Sequence, residues 1–168
     1  MTTLFIDEDN YSDSSPLDLV EEMVGTREWT YERYGDEELT AVVPNSWSEL
    51  HLRYLWREDS GLLQVASVYD IRVPASKRTK IHETLALINE RLWLGHFEIW
   101  SEEGVIMFRH ALLVPEDMIG VAAQCEAITY AALKECERFY PVLQFVIWAD
   151  KDPEEAVEAA MLDTMGEA

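Results

Sequence analysis

Between Trp29 and Val73 the apolar residues recur at every second position, which is the spacing of a β-strand with one buried face. The clearest stretch is Leu50–Trp56, where apolar and charged side chains alternate with the single exception of Leu55. Turn-forming clusters interrupt the pattern at Gly35-Asp36-Glu37 and at Asp59-Ser60-Gly61. Consecutive strands joined by short turns form an antiparallel meander. The sequence therefore predicts four strands, over residues 29–34, 39–43, 50–56 and 63–73.

Helical spacing precedes and follows these strands. Ser15 and Pro16 are typical of an N-cap and a first helical residue, and Gly25 is typical of a helix end. A second helix is predicted from Ser76 to near Leu94. Two further strands, over residues 96–101 and 105–114, are predicted on either side of the turn 102–104.

The C-terminal part of the chain returns to helical spacing. Apolar residues from Met118 to Phe139 lie on one stripe of a long helix. We expect Pro141 to break or kink this helix. Residues 142–148 are then interpreted as a buried helical continuation, with a short strand as the alternative. Asp152, Pro153 and Glu155 are typical of a last helix opening with a capping box.

The order of elements is α-β-β-β-β-α-β-β-α, with strand runs and helix runs segregated. This order favours an α+β fold in which helices pack on one face of an antiparallel sheet. A chain of 168 residues is the size of one ordinary domain. We predict a flexible segment at residues 1–13, a single domain at 14–150, and an amphipathic C-terminal helix at 151–168.

Charge narrows the classes of partner. The chain has 33 acidic residues against 13 Lys plus Arg, a formal net charge of −20. Such a field repels phosphate backbones and anionic membrane surfaces, so neither nucleic acid nor a membrane is an expected partner. The charge serves solubility or, alternatively, attraction to a basic partner segment.

The N-terminal residues carry no basic stretch followed by an apolar one, and no window approaches a membrane span. We therefore expect a cytoplasmic protein. Cys125 and Cys136 are eleven residues apart in one predicted helix, or about 16 Å at the usual rise per residue. A disulfide needs Cα atoms within about 7 Å, so two unpaired thiols are expected.

The sequence contains none of the usual catalytic, phosphate-binding or metal-binding motifs. His51, His82 and His110 fall on different elements, and Glu102 and Glu103 lie on a turn that is expected to be solvated. We expect no enzymatic activity, catalytic residue, metal or cofactor.

Arg109 stands at a strand position between the apolar residues Met107 and Ala111. It is interpreted as half of a buried ion pair or as an anchor for a partner, with a catalytic role as the third alternative.

Aromatic residues crowd the second pair of strands. Phe97 faces one way and Trp100 the other, and Phe108 likewise lies opposite Met107, so both faces of the sheet are partly apolar there. A second apolar face suggests a surface that is covered by a partner, or alternatively by the C-terminal helices. The candidate partner or dimer surface consists of Trp93, Phe97, Trp100, Phe108 and Arg109.

The runs Leu92-Trp93-Leu94-Gly95-His96-Phe97-Glu98-Ile99 and Gly104-Val105-Ile106-Met107-Phe108-Arg109-His110 resemble the YbjN family of bacterial proteins, which are labelled sensory transduction regulators. The resemblance covers roughly residues 15–150. It implies a fold similar to class I chaperones of type III secretion, a homodimer, and no enzymatic activity or cofactor.

Together these features predict a regulator or chaperone-like module that binds itself and segments of an unidentified client protein. The alternative is a regulatory domain that senses a small molecule.

Overall fold

A computed structural model describes the backbone of residues 15–165 and the side chains of residues 15–162. The segment predicted at 1–13 lies outside the described residues. The helices are α1 Pro16–Thr26, α2 Arg78–Asn89, α3 Val121–Trp148 and α4 Pro153–Met165. The strands are β1 Thr30–Tyr34, β2 Glu38–Pro44, β3 Glu49–Arg57, β4 Leu62–Arg72, β5 His96–Trp100 and β6 Val105–Leu113.

The six strands form one sheet in the order β1-β2-β3-β4-β6-β5, and every neighbouring pair is antiparallel. The predicted α+β class, the antiparallel sheet and the order of elements are confirmed. The first four strands form the expected meander. After α2 the chain returns as β5 at the far edge, and β6 then fills the place beside β4.

Helix α3 crosses the sheet and supplies the centre of the core. Two tyrosines of the sheet form buried hydrogen bonds with this helix. Tyr54 Oη lies 2.8 Å from Thr129 Oγ1, and Tyr69 Oη donates to the Cys136 carbonyl at 2.6 Å. Burial raises the pKa of both phenols, so they stay protonated hydrogen-bond partners. Losing either partner would leave a buried polar group unsatisfied, which costs about 1–3 kcal/mol.

Helix α3 continues through Pro141, so of the predicted break or kink the break is wrong, and the expected helical continuation is confirmed. The continuation is buried on one side only, since Phe145 and Trp148 are exposed. Proline has no N–H, and the Glu137 carbonyl therefore lacks its usual donor four residues later. The next two turns are nevertheless held to the core by apolar side chains. These are Val142, Leu143, Val146 and Ile147, all buried.

Two other helix ends differ from the prediction. α1 continues past Gly25 to Thr26, with Arg27 as its C-cap. α2 ends at Asn89 rather than near Leu94, although Leu92 still packs partly against the core.

The predicted starts of α1 and α4 are confirmed, whereas α2 begins at Arg78, after a short 3-10 turn over Ala75–Lys77, and Ser76 does not cap it. Ser15 N donates to Asp18 Oδ2 at 2.8 Å, and the Ser15 side chain caps α1 in return. Asp152 Oδ1 accepts from the backbone N–H groups of Glu154 and Glu155 at the start of α4.

Cys125 and Cys136 are both free and buried, as the spacing predicted. Burial raises the pKa of the Cys125 thiol to about 11 and that of Cys136 to about 12. Neither thiol ionises appreciably at neutral pH, and both behave as small apolar residues of the core.

Gly95 gives a matched test of packing between the α2–β5 loop and the sheet. A Cβ on Gly95 (φ +68°) would lie 2.3 Å from Phe108 Cζ, whereas one on Gly35 (φ +61°) would meet nothing within 4 Å. Both Gly→Ala changes carry the left-handed backbone penalty of about 1–2 kcal/mol. We expect Gly95→Ala to lower the free energy of unfolding by a further 1–3 kcal/mol or so, because the core is overpacked. Urea denaturation of the two variants measures the difference, and equal losses would contradict the packing.

Candidate protein-binding surface

One face of the sheet carries no helix among residues 15–165, and we call it the outer face. The inner face meets the helices through Tyr54 and Tyr69, and strand pairing then assigns every other side chain. Ala66 lies opposite Arg109, and Val68 lies opposite Met107, on the outer face. The alternative that the C-terminal helices cover this face is wrong, because α4 packs on α2 and α3 instead.

The outer face is partly apolar. Trp100 on β5 is 44% exposed and Leu113 on β6 is 73% exposed, although both stand on a sheet rather than in a loop. Ala66 and Met107 between them are buried by their neighbours. Other apolar side chains of this face are half-buried, namely Val42, Leu55, Leu62, Val68 and Val105. A sheet face exposed to water is normally polar, and exposed apolar patches often mark sites of interaction with another molecule.

Two ion pairs lie among the apolar residues of the outer face. Glu98 Oε2 accepts from Arg109 Nη2 at 2.8 Å and lies 3.2 Å from His96 Nε2. Arg109 therefore has an ion-pair partner, but the pair is only half-buried, since 39% of the Arg109 side chain and 24% of the Glu98 side chain are exposed. Part of the guanidinium stays accessible to another molecule on the outer face.

The second pair joins β2 to β3. Arg53 donates through Nε and Nη2 to the two oxygens of Glu38, at 2.6 and 2.9 Å. The guanidinium lowers the pKa of Glu38, and the carboxylate raises that of Arg53. Both groups therefore stay charged near neutral pH. The outer face thus mixes fixed charges with apolar side chains. Arg53, Ala66 and Arg109 lie in one row across its middle, and Trp100 and Leu113 lie toward its opposite ends.

Two of the five residues predicted for a partner surface do not lie on the surface. Phe97 is 2% exposed and Phe108 is fully buried, and both face the helices. Their rings pack against each other at 5.3 Å between centroids, and Phe97 also meets Phe139 of α3. These contacts make both residues part of the core, so neither belongs to a partner surface.

The other three residues are accessible but are not all together. Trp100 and Arg109 lie on the outer face. Trp93 is 98% exposed in the loop between α2 and β5.

The sequence interpretation missed exposed aromatic residues on α3. Phe145 and Trp148 are three residues apart and both exposed, on the side of the helix away from the core. Their position could have been found from the helical period, because neither fits the buried stripe that includes Val146 and Ile147.

An open cleft of about 1270 Å³ lies at one end of the sheet. It is bounded by the start of α1, the β1–β2 turn, the β3–β4 turn and the loop after β6. Its lining mixes apolar side chains such as Trp56 and Met118 with charged ones such as Arg57 and Glu116. A cleft of this size could hold a small molecule.

Other chemistry is sparse within the described chain. No three His, Cys, Asp or Glu side chains lie close enough together there to hold a metal ion. Glu102 and Glu103 are exposed on their turn, and Glu98 is occupied by its ion pair. None of the described helices is long and apolar enough to span a membrane.

Comparison with known proteins gives the family. The YbjN family model, described as "Putative bacterial sensory transduction regulator", matches residues 16–145. The chain belongs to the YbjN family. The match includes all six strands and most of α3, and it ends before α4.

A solved structure is also similar to this YbjN-family protein. It is the crystal structure of YbjN from E. coli, described as a putative transcription regulator. The identity is 11% and the TM-score 0.44, over 71% of this chain and 90% of that one. No protein of the curated collection matches this chain.

The half-exposed pair of Glu98 and Arg109 should stabilise the fold only weakly. In a double-mutant cycle with Glu98→Gln and Arg109→Gln, we expect a coupling energy below about 1 kcal/mol, because solvent screens partly exposed charges. Chemical denaturation of the four proteins gives this energy. A coupling of about 3 kcal/mol would instead identify a pair that behaves as buried.

Proposed function

We propose that this YbjN-family protein is a non-enzymatic regulator that binds other proteins through the outer face of its sheet. The observation that carries the proposal is that no described helix covers this face, while Trp100 and Leu113 stand exposed on it. A sheet face that meets only water is expected to be mainly polar. The family description, which names a sensory transduction regulator, supports the regulatory part of the proposal.

The partners in this proposal are a second copy of the chain and a segment of a client protein, both met in the cytoplasm. Trp100 would supply the main anchor, because tryptophan buries a large area at little entropic cost and is enriched among binding hot spots. Arg109 lies beside His96, its register partner on β5, and its accessible part would meet a polar group of the client. The net charge of −20 would speed encounter with basic clients. High salt would screen this attraction and slow the encounter.

The role of Trp100 can be separated from general stickiness by a matched variant. Trp148 is also exposed, at 62%, but it lies at the end of α3 on the helix side of the molecule. We expect Trp100→Ala to weaken binding by about 2 kcal/mol or more, the usual loss at a hot spot, and Trp148→Ala to leave it unchanged. Both variants should keep the circular dichroism of the parent.

The measurement begins with affinity capture of the tagged protein from its native lysate at low and high salt, followed by mass spectrometry. The dissociation constant of each purified partner is then measured for the three proteins, and sedimentation equilibrium gives their oligomeric state. Loss of binding in Trp148→Ala alone would move the site to the helix side and overturn the proposal. Unchanged binding in both variants would also overturn it.

The cleft at the end of the sheet supports a second candidate function, the sensing of a small molecule. Its volume and mixed lining are suitable for a ligand that carries both apolar and charged groups. A ligand that binds only the folded state raises the melting temperature, and the rise grows with the logarithm of its concentration relative to its dissociation constant. A metabolite screen by thermal shift would favour this function if a hit is found and lysate capture yields no partner.

A further inference from the structure

The sheet has two free edges, β1 and β5, and the main chain of each determines whether another strand can join it. An edge strand directs the N–H and C=O groups of alternate residues away from the sheet. These outward groups are a template for an extended segment of another protein. The two edges of this sheet differ in whether that template is available.

The edge at β5 is closed by a side chain. Asn89, the last residue of α2, accepts from the Phe97 N–H through Oδ1 at 2.8 Å and donates to the Phe97 carbonyl through Nδ2 at 3.0 Å. These are the two hydrogen bonds that an added strand would make with Phe97. Ile99 is the only other residue of this five-residue strand whose main chain points outward, and one residue is too short an edge for stable pairing.

The edge at β1 is open. Trp56 N donates to the Glu37 carbonyl at 2.8 Å, so the odd-numbered residues of β2 hydrogen-bond to β3 and the even-numbered ones to β1. The main chains of Thr30, Glu32 and Tyr34 therefore face β2. Those of Tyr31 and Arg33 face outward, and no described residue hydrogen-bonds to these four groups.

The surroundings of β1 are acidic. Glu28, Glu32 and Asp36 are exposed along the strand and at its two ends, and Glu22 is exposed on the adjacent α1. The one cation of the strand, Arg33, is already shared between Asp18 and Glu21 at 2.6 Å each. A second copy pairing through β1 would bring these carboxylates together, and like charges on neighbouring strands are destabilising. A basic segment would complement them.

We propose that β1 is the docking edge for an extended, basic segment of a partner protein, which adds a seventh strand to the sheet. This inference goes beyond the proposed function, because β1 lies at the opposite edge of the sheet from Trp100 and is a second contact, separate from the one on the outer face. Main-chain hydrogen bonds to Tyr31 and Arg33 supply the pairing. The carboxylates along the edge select lysine or arginine at alternate positions of the segment.

Tyr31 offers a substitution that blocks the edge without breaking the sheet. Its N–H points outward, so Tyr31→Pro removes only the donor used by the added strand and leaves the β1–β2 ladder complete. Tyr31→Val keeps the N–H and is the matched control. Melting temperature and circular dichroism of both variants show whether the fold is retained.

The probe is a fluorescein-labelled peptide of about eight residues, alternating lysine with valine, which is long enough for one strand. A second peptide of the same sequence is N-methylated along both edges, so it has the same charge but neither edge can donate a main-chain hydrogen bond. We expect Tyr31→Pro and the N-methyl peptide each to weaken binding about tenfold or more, which corresponds to the loss of one or two hydrogen bonds. Tyr31→Val should stay close to the parent. If Tyr31→Pro unfolds the protein, the peptide pair still decides the question on the unchanged chain.

Each outcome has a definite meaning for the proposal. Slowed amide hydrogen exchange at Tyr31 and Arg33 in the presence of the peptide would support an added strand. Equal binding of the two peptides, or none by the parent protein, would overturn it, and a dimer lost only in Tyr31→Pro would assign the edge to a second copy. Capture of the native partner that survives Tyr31→Pro but not Trp100→Ala would overturn the edge and leave the proposed function intact.

Discussion

The packing of α3 against the inner face of the sheet is the contact on which the other features depend. Its buried stripe runs from Val121 to Ile147, and the hydrogen bonds of Tyr54 and Tyr69 fix the helix in register with β3 and β4. A fully buried phenol needs a partner, so these bonds allow few other placements of the helix. α4 then packs on α2 and α3, and the described helices all lie on one side.

A sheet covered on one side has a second side that must meet either water or another molecule. The ion pairs of Glu98 with Arg109 and of Glu38 with Arg53 hold charge across the middle of this outer face, while Trp100 and Leu113 remain exposed toward its two ends. This surface is more apolar than a sheet face that meets only water, and it is more charged than the core of a protein. The same strand alternation that builds the core therefore also builds the candidate interface.

The two sheet edges show how a small number of side chains can direct association. Asn89 satisfies both outward main-chain groups of Phe97, which protects β5 from unwanted pairing. No side chain among the described residues hydrogen-bonds to the outward main-chain groups of β1 in this way. This edge is instead surrounded by carboxylates, which repel a negatively charged strand. Together with a net charge of −20, this arrangement disfavours edge-to-edge aggregation of the chain with itself.

The sequence by itself determined the elements and the faces of the strands. The period-2 pattern of Leu50–Trp56, the turn residues and the caps at Ser15 and Asp152 are local signals, and they specified the α+β class, the order of elements and the unpaired cysteines. The sequence did not determine on which face of the sheet the helices pack, or which aromatic residues this packing buries. Phe97 and Trp100 are both large aromatic residues of β5. The packing of α3 buries Phe97 in the core, whereas Trp100 stays exposed. Pro141 likewise predicts a break by local rules, and the burial of the residues after it keeps the helix intact. Only the tertiary structure decided these points, because they depend on contacts between residues far apart in the chain.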